Sequence, residues 1–180
     1  MSRKKRKNNK LRNFIRFFRE DKFRITFGTF LILMAAYLMI AFISYFFTWK
    51  ADQDFTWAKV FSGPEITVKN HSGKLGAWFS NIFITRSFGL AGFTIPLFIM
   101  VLGTNLLGLK LFKTGKSFKI LASATILLSV ILGFIFFSGN DFLGAGPGGM
   151  HGHYIAEWLI AALGNAGTVF LLIILTLGFV

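Results

Sequence analysis

Long apolar runs alternate with short polar ones along this chain. Residues 25–47, 88–107, 118–137 and 167–180 are dominated by Leu, Ile, Val, Phe, Ala and Gly, and they predict membrane-spanning helices. Each of the first three has about the 20 residues a helix needs to cross a bilayer. The last run stops at Val180. At about 1.5 Å per residue it reaches about 21 Å, against a hydrocarbon core of about 30 Å, so an intact protein is expected to continue past it. Pro96 falls inside the second run and predicts a kink there.

The segments between the runs carry a second, shorter periodicity. Before the second run, Leu75, Trp78, Phe79, Ile82 and Phe83 recur at helical spacing; before the fourth, Ile155, Trp158, Leu159, Ala162 and Leu163 do the same. Each set predicts an amphipathic helix lying at the outer interface with its aromatic rings at headgroup level. Both follow one template, Gly-x-x-Gly-x-aromatic-apolar: Gly73, Gly76, Trp78 and Phe79 in one, Gly149, Gly152, Tyr154 and Ile155 in the other. The chain therefore reads as an all-α integral membrane protein, two hairpins of the form span, outer helix, span, related by an axis along the membrane normal.

Charge sets the orientation. Of the 20 Lys and Arg, eleven lie within residues 1–24, and the turn before the third run holds Lys110, Lys113, Lys116 and Lys119 with no acid. Residues 138–166 contain no Lys or Arg, and in residues 48–87 the basic groups are diluted by Asp52, Asp54 and Glu65. The excess of positive charge belongs inside, which puts both termini and the 108–118 turn in the cytoplasm. Residues 1–24 thus form a basic cytoplasmic tail, in which Leu11, Phe14, Ile15 and Phe18 predict an interfacial helix bound to anionic lipid; residues 25–180 form the membrane domain. The first run is too long for a cleaved signal peptide and lacks a small-residue cleavage site.

Few residues offer chemistry. The 180 residues include no cysteine, which excludes disulfides, thiolate metal sites and thiol nucleophiles. Thr114-Gly115-Lys116-Ser117 imitates the end of a phosphate-binding loop, but Lys110 stands where that motif needs its first glycine. His151 and His153 sit in a Gly-rich stretch that reads as a flexible outer loop, with only Asp141 and Glu157 as nearby acids. Asn70-His71-Ser72 fits a glycosylation sequon. No ionisable side chain occupies the middle of a span, which argues against ion-coupled transport. Ser44, Thr94, Asn105, Ser123, Thr125 and Ser129, with Gly92 and Gly103, suit close helix packing or oligomer contacts. No catalysis, metal or cofactor is expected within these residues.

The chain resembles the N-terminal four-span membrane domain of the FtsK/SpoIIIE family of bacterial DNA translocases. The resemblance is carried by Gly73-Lys-Leu-Gly76-Ala77-Trp78, by Phe88-Gly89-Leu-Ala-Gly92 at the start of the second run, and by Gly148-Gly-Met-His-Gly152. It implies a septal inner-membrane anchor that tethers a hexameric ATP-driven DNA pump and touches other division proteins. The pump itself, with the homo-oligomer and nucleic-acid contacts it brings, lies outside this chain. On that reading Gly73, Gly76, Trp78, Phe79, Gly89 and Gly92 are candidate partner contacts. The alternative is a small channel or transporter subunit, for which a polar cavity with an ionisable residue at depth would be needed.

Overall fold

The computed structural model describes residues 21–52, 55–109, 112–137 and 141–179, and among them the regular elements are all helices. The interfacial helix expected from Leu11 to Phe18 lies outside the described residues. Helix α1 (Asp21–Asp52) is unbroken. Its 32 residues make a rod of about 48 Å, longer than a hydrocarbon core of about 30 Å, so one end projects from the bilayer. The side from which α1 starts is called near, and the side where it ends, far.

On the far side the chain forms one helical turn, α2 (Trp57–Val60), then α3 (Gly73–Ser80). Helix α3 runs on through a widened π-helical stretch, Asn81–Phe88, and a 3-10 turn, Gly89–Phe93, into α4 (Thr94–Leu106). After a near-side turn, α5 (Thr114–Ile135) returns to the far side. A 3-10 turn at Phe142–Gly144 leads to α6 (Gly149–Phe179), which breaks at Gly164 (φ 68°, ψ 173°). Four helical runs are long and apolar enough to cross a membrane: Asp21–Asp52, Gly73–Leu106, Thr114–Ile135 and Gly149–Phe179. The chain is an all-α, four-span membrane protein.

Two expectations are corrected. The second run does not kink at Pro96. Pro96 stands in the first turn of α4, where its missing N–H has no intrahelical partner to lose. The bend falls instead at Gly89 (φ 62°, ψ −137°), a backbone conformation that a side chain would resist. The Gly-rich stretch before α6 is not a flexible loop either. Gly146, Pro147, Gly148 and Gly149 are buried, and His151 and His153 already belong to α6.

Each span packs chiefly on the next in sequence: α1 on α4, α4 on α5, α5 on α6. Small residues bring the backbones together. Near the start of α1, a Cβ placed on Gly103 would meet the Gly28 carbonyl at 2.9 Å, so the α1–α4 crossing is set by two hydrogens. The deepest cluster lies toward the far side, where Leu38, Ala41, Phe42 and Tyr45 of α1 close around Ile84 and Leu143. Phe42 packs edge-on to Phe93, and Phe46 likewise to Phe142. Leu143 belongs to the loop after α5, so the second hairpin is built into the core of the first.

Candidate functional site

The two far-side segments are helices, as their periodicity predicts, but small residues rather than the bulkiest apolar ones make their closest inward contacts. In the first, the buried positions are Gly76, Ala77, Ser80, Asn81 and Ile84, while Leu75 is exposed. In the second, Gly152, Ala156 and Leu159 are buried, while Ile155, Trp158 and Leu163 are exposed. Bulky apolar side chains cost nothing when they face lipid. Small ones are what permit a helix to lie close on its neighbour, and they take the inner face. The repeat extends to the backbone: Gly73 and Gly149 open the two segments at φ 68° and 67°, and Gly89 and Gly164 close them at 62° and 68°.

The junction between hairpins is made where Gly148–Gly152 meets the bend at Gly89. A Cβ on Gly89 would lie 2.0 Å from the Pro147 carbonyl oxygen, and one on Gly149 would lie 2.4 Å from the Gly89 nitrogen. Nothing larger than glycine fits either place. The Leu90 N–H, left without a helical partner by the bend, donates to the Pro147 carbonyl at 2.8 Å. On the other side, Gly148 and Gly152 sit one helical turn apart against Ser129 and Gly133 of α5, which are also one turn apart. A Cβ on Gly152 would come within 2.0 Å of the Ser129 carbonyl oxygen.

Ser129 stitches this contact. Its hydroxyl donates to the Gly148 carbonyl at 2.7 Å, and His151 Nδ1 lies 3.1 Å from the same oxygen. The hydroxyl has a single proton, so Nδ1 carries the hydrogen and donates to Ser129. The His151 ring rests against Phe88, centroids 5.2 Å apart. Thr85 donates to the Leu143 carbonyl at 2.6 Å and pairs with the Tyr45 hydroxyl at 2.8 Å, tying the first far-side segment and the loop after α5 to α1.

The first far-side loop is strapped down along α1. Asp52, 1% exposed, accepts the Lys69 N–H at 2.9 Å. Asn70 donates to the Ala41 carbonyl at 2.9 Å, the His71 N–H donates to Ser44 at 2.9 Å, and the Tyr37 hydroxyl donates to the Ser72 carbonyl at 2.6 Å. The sequon asparagine therefore spends its amide inside the protein. Outside this strap the loop presents aromatic rings: Trp57 is 50% and Phe61 79% exposed, and Trp57 packs on Trp78 with centroids 4.5 Å apart.

The candidate contact residues separate accordingly. Gly76 is buried against Ala41, Gly89 against Pro147 and Gly92 against Phe83, so each serves packing within the chain. Phe79 is partly buried, stacked on Phe83. Gly73 and Trp78 are partly open, and a Cβ on Gly73 would meet nothing. Sequence reading gave Asp52 only a place in the charge balance and passed over Leu143, because a single carboxylate and a single leucine carry no periodicity.

Chemistry is sparse. No group of three or more His, Cys, Asp or Glu that could hold a metal ion occurs among the described residues. Within the spans, the Thr94 and Thr125 hydroxyls face each other, and since each has one proton, one donates across the pair while the other donates to a backbone carbonyl of the preceding turn.

No curated protein and no solved structure matches the chain. A family model described as the 4TM region of DNA translocase FtsK/SpoIIIE matches residues 20–180, from just before α1 to the last residue. That match takes in every described span, both far-side helices and the glycine junction, so the chain belongs to the four-span membrane region of the FtsK/SpoIIIE DNA translocase family.

Proposed function

We propose that this chain fixes an ATP-driven DNA motor at the bacterial division septum, with both termini in the cytoplasm, and that its far-side loops meet other division proteins outside the membrane. The family match across all four spans carries the reading. The charge pattern supports the orientation: Lys113, Lys116 and Lys119 cluster at the near-side turn, on the side where α1 begins, and residues 141–163 on the far side include no basic residue. The aromatic cap supports the contact. Trp57 and Phe61 stand exposed, with Trp57 packed on Trp78 of α3, beside a loop tied to α1 through Asp52 and Asn70, and exposed aromatic side chains on a fixed frame are the residues that carry interface energy.

The test uses a fluorescent fusion of the motor-bearing protein in dividing cells. Trp57→Ala with Phe61→Ala should reduce septal fluorescence while membrane insertion is unchanged, since neither ring belongs to the span core. Undiminished septal recruitment of that double variant would remove the contact. Topology reporters placed in the 108–113 turn and in the 61–65 loop should read cytoplasmic and external respectively; the reverse would remove the orientation.

A further inference from the structure

The geometry points to a seat for one anionic phospholipid in the groove between α4 and α5 at the near side. The groove has a volume of about 440 Å³. That lies within the range of about 300–1,000 Å³ found for sites that enclose small apolar ligands. Leu97 and Val101 of α4 and Ile120 of α5 form its walls, and its near end is marked by Thr104, Phe112 and Ser117. It therefore runs from the membrane surface about two helical turns into the bilayer, the shape an acyl chain fills. Beyond the groove, α4 and α5 meet at the Thr94–Thr125 hydroxyl pair and at the Phe98–Phe118 ring contact, centroids 5.3 Å apart.

At the near end of the same groove stands a cluster of positive charge. Lys113 is the N-cap residue of α5, and no side chain caps the helix. The first amides of α5 accordingly point outward with the positive end of the helix dipole. Lys116 lies in that first turn, one turn before Ile120 and so on the face that lines the groove. A Cβ on Gly115 would meet nothing, which leaves the helix start open to a phosphate. Residues 108–119 contain no acid, and no ion pair engages Lys113, Lys116 or Lys119 among the described residues. An apolar slot ending at uncapped amides and two lysines matches a lipid with one negative phosphate and a fatty chain. It does not match a nucleotide, which has nothing to place in the slot. This gives the Thr114-Gly115-Lys116-Ser117 turn a phosphate role without a phosphate-binding loop.

Assigning this lipid to the inner leaflet rests on the orientation proposed above; binding itself does not, since a micelle has no sides. The chain, purified in a neutral detergent, is titrated with dioleoyl phosphatidylglycerol, and retained lipid is counted by native mass spectrometry. One tightly held molecule is expected, with dioleoyl phosphatidylcholine and inorganic phosphate each held at least tenfold more weakly. Lys113→Gln with Lys116→Gln should weaken retention about thirtyfold, equivalent to about 1 kcal/mol for each lysine near a membrane surface. Val101→Trp, which fills the slot and leaves every charge in place, should also abolish retention. If its thermal unfolding is altered, Val101→Leu should give a partial loss on an intact fold. Equal binding of the two lipids would overturn the inference. So would lysine dependence with no effect of either Val101 variant, which would mean diffuse attraction to the basic surface.

Discussion

Gly152 sets the distance between α5 and α6, and replacing it with alanine tests the view that small residues form the working core of this membrane domain. The new Cβ would lie 2.0 Å from the Ser129 carbonyl oxygen and 2.9 Å from its hydroxyl, where ordinary contact begins at 3.4 Å. The first obstacle is backbone, so no rotamer change relieves it, and α6 has to move by more than an ångström. That movement stretches the Ser129–Gly148 hydrogen bond, now 2.7 Å. Overpacking of this kind costs about 1–3 kcal/mol, and a hydrogen bond between membrane helices is worth about 0.6 kcal/mol. Alanine returns about 1 kcal/mol through its better helix propensity. Gly152→Ala should therefore destabilise the domain by about 1–2 kcal/mol, the overpacking term outweighing the propensity gain. Gly115→Ala, whose Cβ meets nothing, is the control and should be neutral or slightly stabilising. Reversible unfolding in mixed micelles of rising SDS content, followed by tryptophan fluorescence, compares the two. A Gly152→Ala protein as stable as Gly115→Ala would refute the argument.

Two further substitutions probe the polar contacts. Asp52→Ala removes the acceptor of the Lys69 N–H and should cost about 0.5–1.5 kcal/mol, whereas Asp52→Asn keeps an acceptor oxygen and should cost much less; protease cleavage within residues 55–70, accelerated only in the alanine variant, reads the difference. Thr125→Val should shift the unfolding midpoint by no more than about 0.6 kcal/mol, because the Thr94 hydroxyl left behind still donates to the Ala91 carbonyl at 2.7 Å; a loss of several times that would mean the pair is a structural pin.

Hydropathy reached the four spans because lipid imposes one rule on every helix that crosses it. Element ends were less accurate. Pro96 predicted a bend and Gly89 produced it, since proline near a helix start is harmless and only a glycine at φ 62° reverses the chain cheaply there. Periodicity found both far-side helices and set their apolar rows at the outer interface, but it did not find the small residues that make the inner contacts. In water, Leu75, Trp78 and Phe79 would be buried. Here Leu75 is exposed and the small positions Gly76, Ala77 and Ser80 go inside. The signal that finds them is glycine, alanine and serine at four-residue spacing: Gly76 and Ser80, then Gly148, Gly152 and Ala156 facing Thr125, Ser129 and Gly133. The pairing of Gly89 with Gly149 had no such signal, because it joins residues 60 positions apart through their backbones.

The same inversion bears on how the last helix is held. Beyond Gly164, α6 buries only Thr168 and Leu172 against the rest of the chain, and Phe170, Ile174 and Leu177 face outward. A helix so thinly packed would detach in water. In a bilayer the exposed side chains are as well solvated by acyl chains as by protein, so detachment gains nothing. Its position therefore depends on lipid for depth and on the far-side junction for direction: Gly149 locks its start beneath Gly89, Ser129 holds the next turn, and the break at Gly164 turns the remainder into the membrane. A force applied at the near end of this helix reaches the other three spans chiefly through Leu172, Thr168 and that junction. The glycines at 148, 149 and 152 set that junction by packing directly on the backbones of Gly89, Ser129 and Gly133.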